Sequence, residues 1–160
     1  MVPVSWDECK HFIIRTHELV FQQRNLDPST IKLMIAECKS LLPPDRIILA
    51  TDASKNENST AIVAINCSLD VVIKGTIHNI NSVFSGEGFA IALAVMNFIQ
   101  ENKDYFILTD SLSNLSALKY LNFHSPKNSL FLARVIFNAL KLCSSLELIY
   151  TPAHVVYCRK

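Results

Sequence analysis

The hydrophobic pattern of the chain changes character near residue 45. Before it, apolar positions recur at helical spacing. Cys9, Phe12, Ile13, Thr16, Leu19 and Val20 form one stripe, preceded by Ser5-Trp6-Asp7-Glu8, in which the Ser hydroxyl and the Glu carboxylate can cap each other's backbone. Asp27-Pro28 opens a second helical run, with Ile31, Met34, Ile35, Cys38 and Leu42 on one face. The pattern therefore predicts a two-helix extension over residues 1–44. Pro43-Pro44 marks its end.

From Asp45 onward, short β-branched runs alternate with helical ones. Strands are expected at Arg46–Thr51, Thr60–Cys67, Val71–Ile77, Tyr105–Thr109 and Leu146–Tyr150. Helices are expected at Ser85–Gln100, which is apolar nearly all round, and at Ser113–Leu121 and Ser129–Leu142. Ser68-Leu69-Asp70 reads as a hairpin turn. The order β-β-β-α-β-α-α-β predicts an α/β domain over residues 45–160. Its mixed five-stranded sheet joins an antiparallel meander to crossover-linked parallel strands, flanked by helices.

Composition narrows the classes without choosing among them. The chain has 160 residues, half of them hydrophobic, with 3 Gly and 6 Pro. It can build a core, and it is neither disordered nor low-complexity. Fifteen basic against 14 acidic residues leave a net charge of +1, which excludes a polybasic arm. The N-terminus lacks the pattern of a signal peptide, and the longest apolar stretch, Phe89–Ile99, is too short to span a bilayer. Five scattered cysteines form no CxxC pair and no ligand spacing with the five histidines. The expectation is reduced thiols, no zinc, no membrane association, and an intracellular protein, cytoplasmic or nuclear.

Candidate chemistry sits at two strand ends. Ile48-Leu49-Ala50-Thr51-Asp52 and Phe106-Ile107-Leu108-Thr109-Asp110 both close an apolar run with a carboxylate. In a mixed sheet, parallel strands present such ends at one edge, where these folds build their sites. Glu87, between Gly86 and Gly88, is expected in the first turn of the intervening helix. Taken singly, each acid has an ordinary use as a turn, cap or helix-dipole residue. Taken together, they would repel unless a cation compensates them, and hard oxygen donors select Mg²⁺ or Mn²⁺.

Four blocks in order, ILATDASK from Ile48, SVFSGEGFAIA from Ser82, FILTDSLSNLSAL from Phe106 and IYTPAHV from Ile149, resemble the type 1 ribonuclease H domain. The resemblance is closest to the form that trails the reverse transcriptase in non-LTR retrotransposon polyproteins, and residues 1–44 then look like the connecting segment. It implies a ribonuclease H-like fold and a metal-dependent endonuclease that hydrolyses the RNA strand of RNA–DNA hybrids. Two Mg²⁺ (or Mn²⁺) ions would be held by Asp52, Glu87 and Asp110. It also implies that His154 assists water or product movement, and that Ser54 and Asn56 touch the nucleic-acid backbone. The implied partners are the hybrid and an upstream reverse transcriptase domain.

The sequence departs from that pattern in several places. Val156 stands where the family has glycine, and Cys158-Arg159-Lys160 closes the sequence before the fourth aspartate and the final helix. Ser59-Thr60 replaces a glycine ahead of the hairpin, and Leu121–Ser129 carries a single Lys where bacterial relatives have a basic handle. Two alternatives follow from different classes. One is a catalytically inactive ribonuclease H-like fragment that binds nucleic acid or serves structurally. The other is a metal-dependent binding module of the von Willebrand A type, which Asp52-x-Ser54 echoes.

Overall fold

A computed structural model describes residues 45–69, 71–78 and 82–150, together with the backbone of 13–15. Six strands form one sheet: β1 (Ile13–Arg15), β2 (Ile47–Lys55), β3 (Ser59–Asn66), β4 (Val71–His78), β5 (Asp104–Thr109) and β6 (Ser145–Tyr150). Their spatial order is β1-β6-β5-β2-β3-β4. β2, β3 and β4 make an antiparallel meander, while β1, β6, β5 and β2 are mutually parallel. Three helices complete the described fold: α1 (Val83–Phe98), α2 (Leu112–Lys119) and α3 (Lys127–Leu140).

The α/β class and the mixed sheet follow the sequence pattern. One element does not. Ile13–Arg15, expected within a helix, is extended and pairs in parallel with Glu147–Ile149 of β6. Ile13 and Ile14 are β-branched and stiff at χ1, so a neighbouring strand edge can outweigh a helical spacing. The rest of the expected two-helix extension over 1–44 lies outside the described residues, as do residues 151–160.

Alternation along the strands divides the side chains between two faces. On the first face, Leu49, Ala64, Tyr105, Ile107, Leu146 and Leu148 meet Ile91, Ala94 and Val95 of α1, Leu115 and Leu118 of α2, and Leu132 and Ile136 of α3. This is the main core. On the second face lie Phe106, Leu108 and Ile149, with Ile48 and Ala50 packed beside them.

The ends of the elements are set locally. Ser82 caps α1, its hydroxyl accepting from the Ser85 amide at 3.1 Å, so the helix begins at Val83, two residues before the expected Ser85. The β2–β3 turn is closed by the Asn56 side chain, whose Oδ1 accepts from the Asn58 and Ser59 amides. Asn66 closes the β3–β4 turn in the same way, accepting from Ser68 and Leu69.

Cysteine chemistry differs from expectation at one position. Cys67 is engaged in a disulfide, so the reduced-thiol reading does not hold there. Cys143 is a buried free thiol, and burial pushes its pKa up. Among the described residues no helix is long and apolar enough to cross a membrane.

Candidate active site at the carboxyl edge of the sheet

β2 and β5 run in parallel with Ile47 opposite Tyr105 and Ala50 opposite Leu108. Carrying that register two positions further brings Asp52 level with Asp110. Asp52 is not beyond its strand, as the sequence suggested, but inside it, because β2 continues to Lys55 while pairing with β3. Asp110 follows the last residue of β5. Both carboxylates are half-buried. Asp52 Oδ1 accepts from the Ala53 amide at 2.8 Å, which holds the side chain close to its own backbone.

Glu87 reaches the same edge from the helix layer. With Val83 as its first residue, α1 carries Glu87 in its second turn rather than its first. Glu87 precedes the buried Ile91 and Ala94 by four and seven residues, so it shares their side of the helix. Its two glycine neighbours bring α1 into close contact on both flanks. A Cβ at Gly86 would lie 2.7 Å from Thr60 Cγ2 and 3.3 Å from Ala53 Cβ, and one at Gly88 would lie 2.9 Å from Asn114 Oδ1. Glycine at these positions lets the helix approach β2, β3 and α2.

Asn114 is a positioning residue that motif reading did not single out. It is buried, and its Nδ2 donates to the Phe84 carbonyl at 2.8 Å and to Ser111 Oγ at 2.7 Å. Ser111 in turn caps α2, accepting from the Asn114 amide. The segment right after Asp110 is thus tied to the first turn of α1, which carries Glu87 five positions in. Ser-x-x-Asn at a helix start was the available signal, but the partner carbonyl, 30 residues away, was not.

The remaining candidates fare differently. Ser54 is exposed near the end of β2. Asn56 is exposed as well, but its carbonyl oxygen is committed to the turn. His154 lies outside the described residues. An apolar groove between α1 and α3, lined by Met96, Ile99, Phe131 and Leu142 among others, opens in the helix layer, and none of the three carboxylates lines it.

The donor set suits a hard dication, since all three side chains offer only carboxylate oxygens. Among the described residues no three of His, Cys, Asp and Glu form a group that could hold a metal ion. The backbones of the three converge on one edge. No protein-family model matches the chain, and no curated protein matches it significantly.

Proposed function

We propose that this chain is a ribonuclease H-like domain that hydrolyses the RNA strand of an RNA–DNA hybrid. The observation that carries the reading is the level placement of Asp52 and Asp110 on adjacent parallel strands, with Glu87 at the same edge. The strand order, an antiparallel meander continued by the parallel strands β5 and β6 with β1 added at the edge, supports the same fold. The four sequence blocks add support, because three of them supply these three acids in order.

In this reading Asp52, Glu87 and Asp110 hold Mg²⁺ or Mn²⁺. Such ions, when bound, activate a water and offset charge at the scissile phosphate. The chain's own residues hold the acids in register, through the β2–β5 ladder and the Asn114 bridge. Like charges at one edge repel, so gathering three carboxylates at ligating distance requires a compensating cation. Exposed Ser54 and Lys55 stand beside the edge, placed to meet a phosphate backbone. Hybrid recognition by groove shape and 2′-OH does not require a strongly basic protein. Nearly balanced charge is compatible with it.

The alternative is the same fold without catalysis. One experiment separates them. The full chain is incubated with a labelled RNA–DNA hybrid in Mg²⁺ and in Mn²⁺, beside Asp52→Asn. Cleavage confined to the RNA strand, falling to background in the variant, is the expected result. A folded protein that binds the hybrid without cutting it in either metal would leave the inactive reading standing.

A further inference from the structure

The second face of the sheet is covered, and none of the described helices covers it. Phe106, Leu108 and Ile149 are 2%, 4% and 4% exposed. By strand alternation they point away from the layer of α1, α2 and α3, all of which pack on the opposite face. Glu147, on the same second face, is also buried, ion-paired at 3.3 Å with Arg46, whose guanidinium stacks 4.7 Å from the Phe106 ring centroid. The cover is local. Farther across the same face, on β4, Val72 is 49% exposed, and Lys74, Thr76 and His78 are exposed too. Burial on this face is complete at the centre of β5 and β6, partial on β2 and β3, and lost on β4.

β1 and β2 are parallel and separated in the sheet by β6 and β5. The chain leaving β1 at Arg15 must therefore return to the opposite end of the sheet to enter β2 at Ile47, passing over one face. Parallel crossovers are right-handed in about 98% of cases. Two others in this sheet, β4 to β5 through α1 and β5 to β6 through α2 and α3, both step toward β1 and both lie on the first face. A crossover of the same hand stepping the other way, from β1 toward β2, passes over the second face. It also crosses the strands whose second-face side chains are buried.

We propose that the segment joining β1 to β2, residues 16–46, packs on the second face of the sheet, with the stripe Ile31, Met34, Ile35, Cys38 and Leu42 against Phe106, Leu108 and Ile149. Its 31 residues, counted from Thr16 to Arg46, are ample for a crossover, which needs about a dozen. Three strand spacings, about 14 Å at the usual 4.8 Å each, are well within a helix of the length that the stripe predicts. The N-terminal region is then an integral layer of the domain and not an appendage joined at Pro43-Pro44. Asp52 and Asp110 continue the alternation of Ile48, Ala50, Phe106 and Leu108, so this layer borders the proposed active edge.

The test uses the full chain with the photoreactive Phe106→p-benzoylphenylalanine substitution, irradiated and mapped by proteolysis and mass spectrometry. The principal cross-linked peptide is expected to come from residues 16–46. A principal cross-link to residues 151–160 or to a second copy of the chain, or no cross-link from a folded protein, overturns the proposal. Should that variant fail to fold, the same probe at Ile48, at the partly buried margin of the face, gives the same readout. The measurement reads placement alone, so it stands or falls apart from nuclease activity.

Discussion

At Gly86 a small residue is required by a neighbour from another strand. A methyl group there would sit 2.7 Å from the Thr60 side chain, which is fully buried and β-branched. Gly86→Ala would gain about 1 kcal/mol of helix propensity, but overpacking a closed site costs about 1–3 kcal/mol. The expected outcome is net destabilisation of about 1 kcal/mol, read as a lower urea midpoint. Unchanged or raised stability would mean that α1 has room to move from β3. At an exposed helix position the same exchange would stabilise. The two glycines around Glu87 were visible in the sequence; the walls they touch were not.

Among the elements, α2 is the one whose position the site depends on. It is short, from Leu112 to Lys119, and an eight-residue helix has little stability of its own. Asn114 fixes it to α1 through the Phe84 carbonyl and to its own cap through Ser111. Asn114→Ala removes both and is expected to cost about 1–3 kcal/mol, as for other buried polar groups that lose their partners. If the proposed function holds, hybrid cleavage should fall as well, because Asp110 lies one residue before Ser111. Loss of stability with full cleavage retained would show that the β5 strand alone positions the carboxylate.

Element ends were the least legible part of the sequence for a related reason. β2 was expected to stop at Thr51, where the residues turn polar, yet pairing with β3 carries it to Lys55. The ladder satisfies backbone groups whatever the side chains are. Likewise Ser82, one polar residue before an apolar run, sets the start of α1 through its cap. The three residues of β1 are extended despite their helical spacing, which is a weak prior beside an available sheet edge.

Over the whole molecule, burial of ionisable groups makes stability depend on alkaline pH. Tyr105 lies in the main core, its hydroxyl donating to the Phe98 carbonyl and accepting from the Gln100 amide. Burial raises its pKa, and it raises that of Cys143, at the base of the same core. A folded-state pKa above the unfolded one means the neutral form is favoured by folding. The associated stability is therefore complete below the unfolded pKa values, about 8.5 for a thiol and 10 for a phenol, and is lost as pH rises through the folded ones. The urea midpoint should hold from pH 7 to about 8.5 and then decline. Cys143→Ser should remove the earlier part of that decline, and a variant with the wild-type slope would assign it elsewhere.

The sequence by itself determined the order and kind of the elements from residue 45 onward, because alternation and helical spacing are local and the chain shows both clearly. It also set the two carboxylates at the ends of similar runs. Tertiary structure alone decided that those runs are neighbours in register, since parallel pairing joins residues 58 positions apart and no local period encodes it. Tertiary structure likewise decided that α1 carries Glu87 to the same edge, through glycine contacts with β2, β3 and α2. The burial of the second face followed from the same cause. Which layer covers a sheet depends on the hand and direction of its connections, and these exist only once every strand has its place.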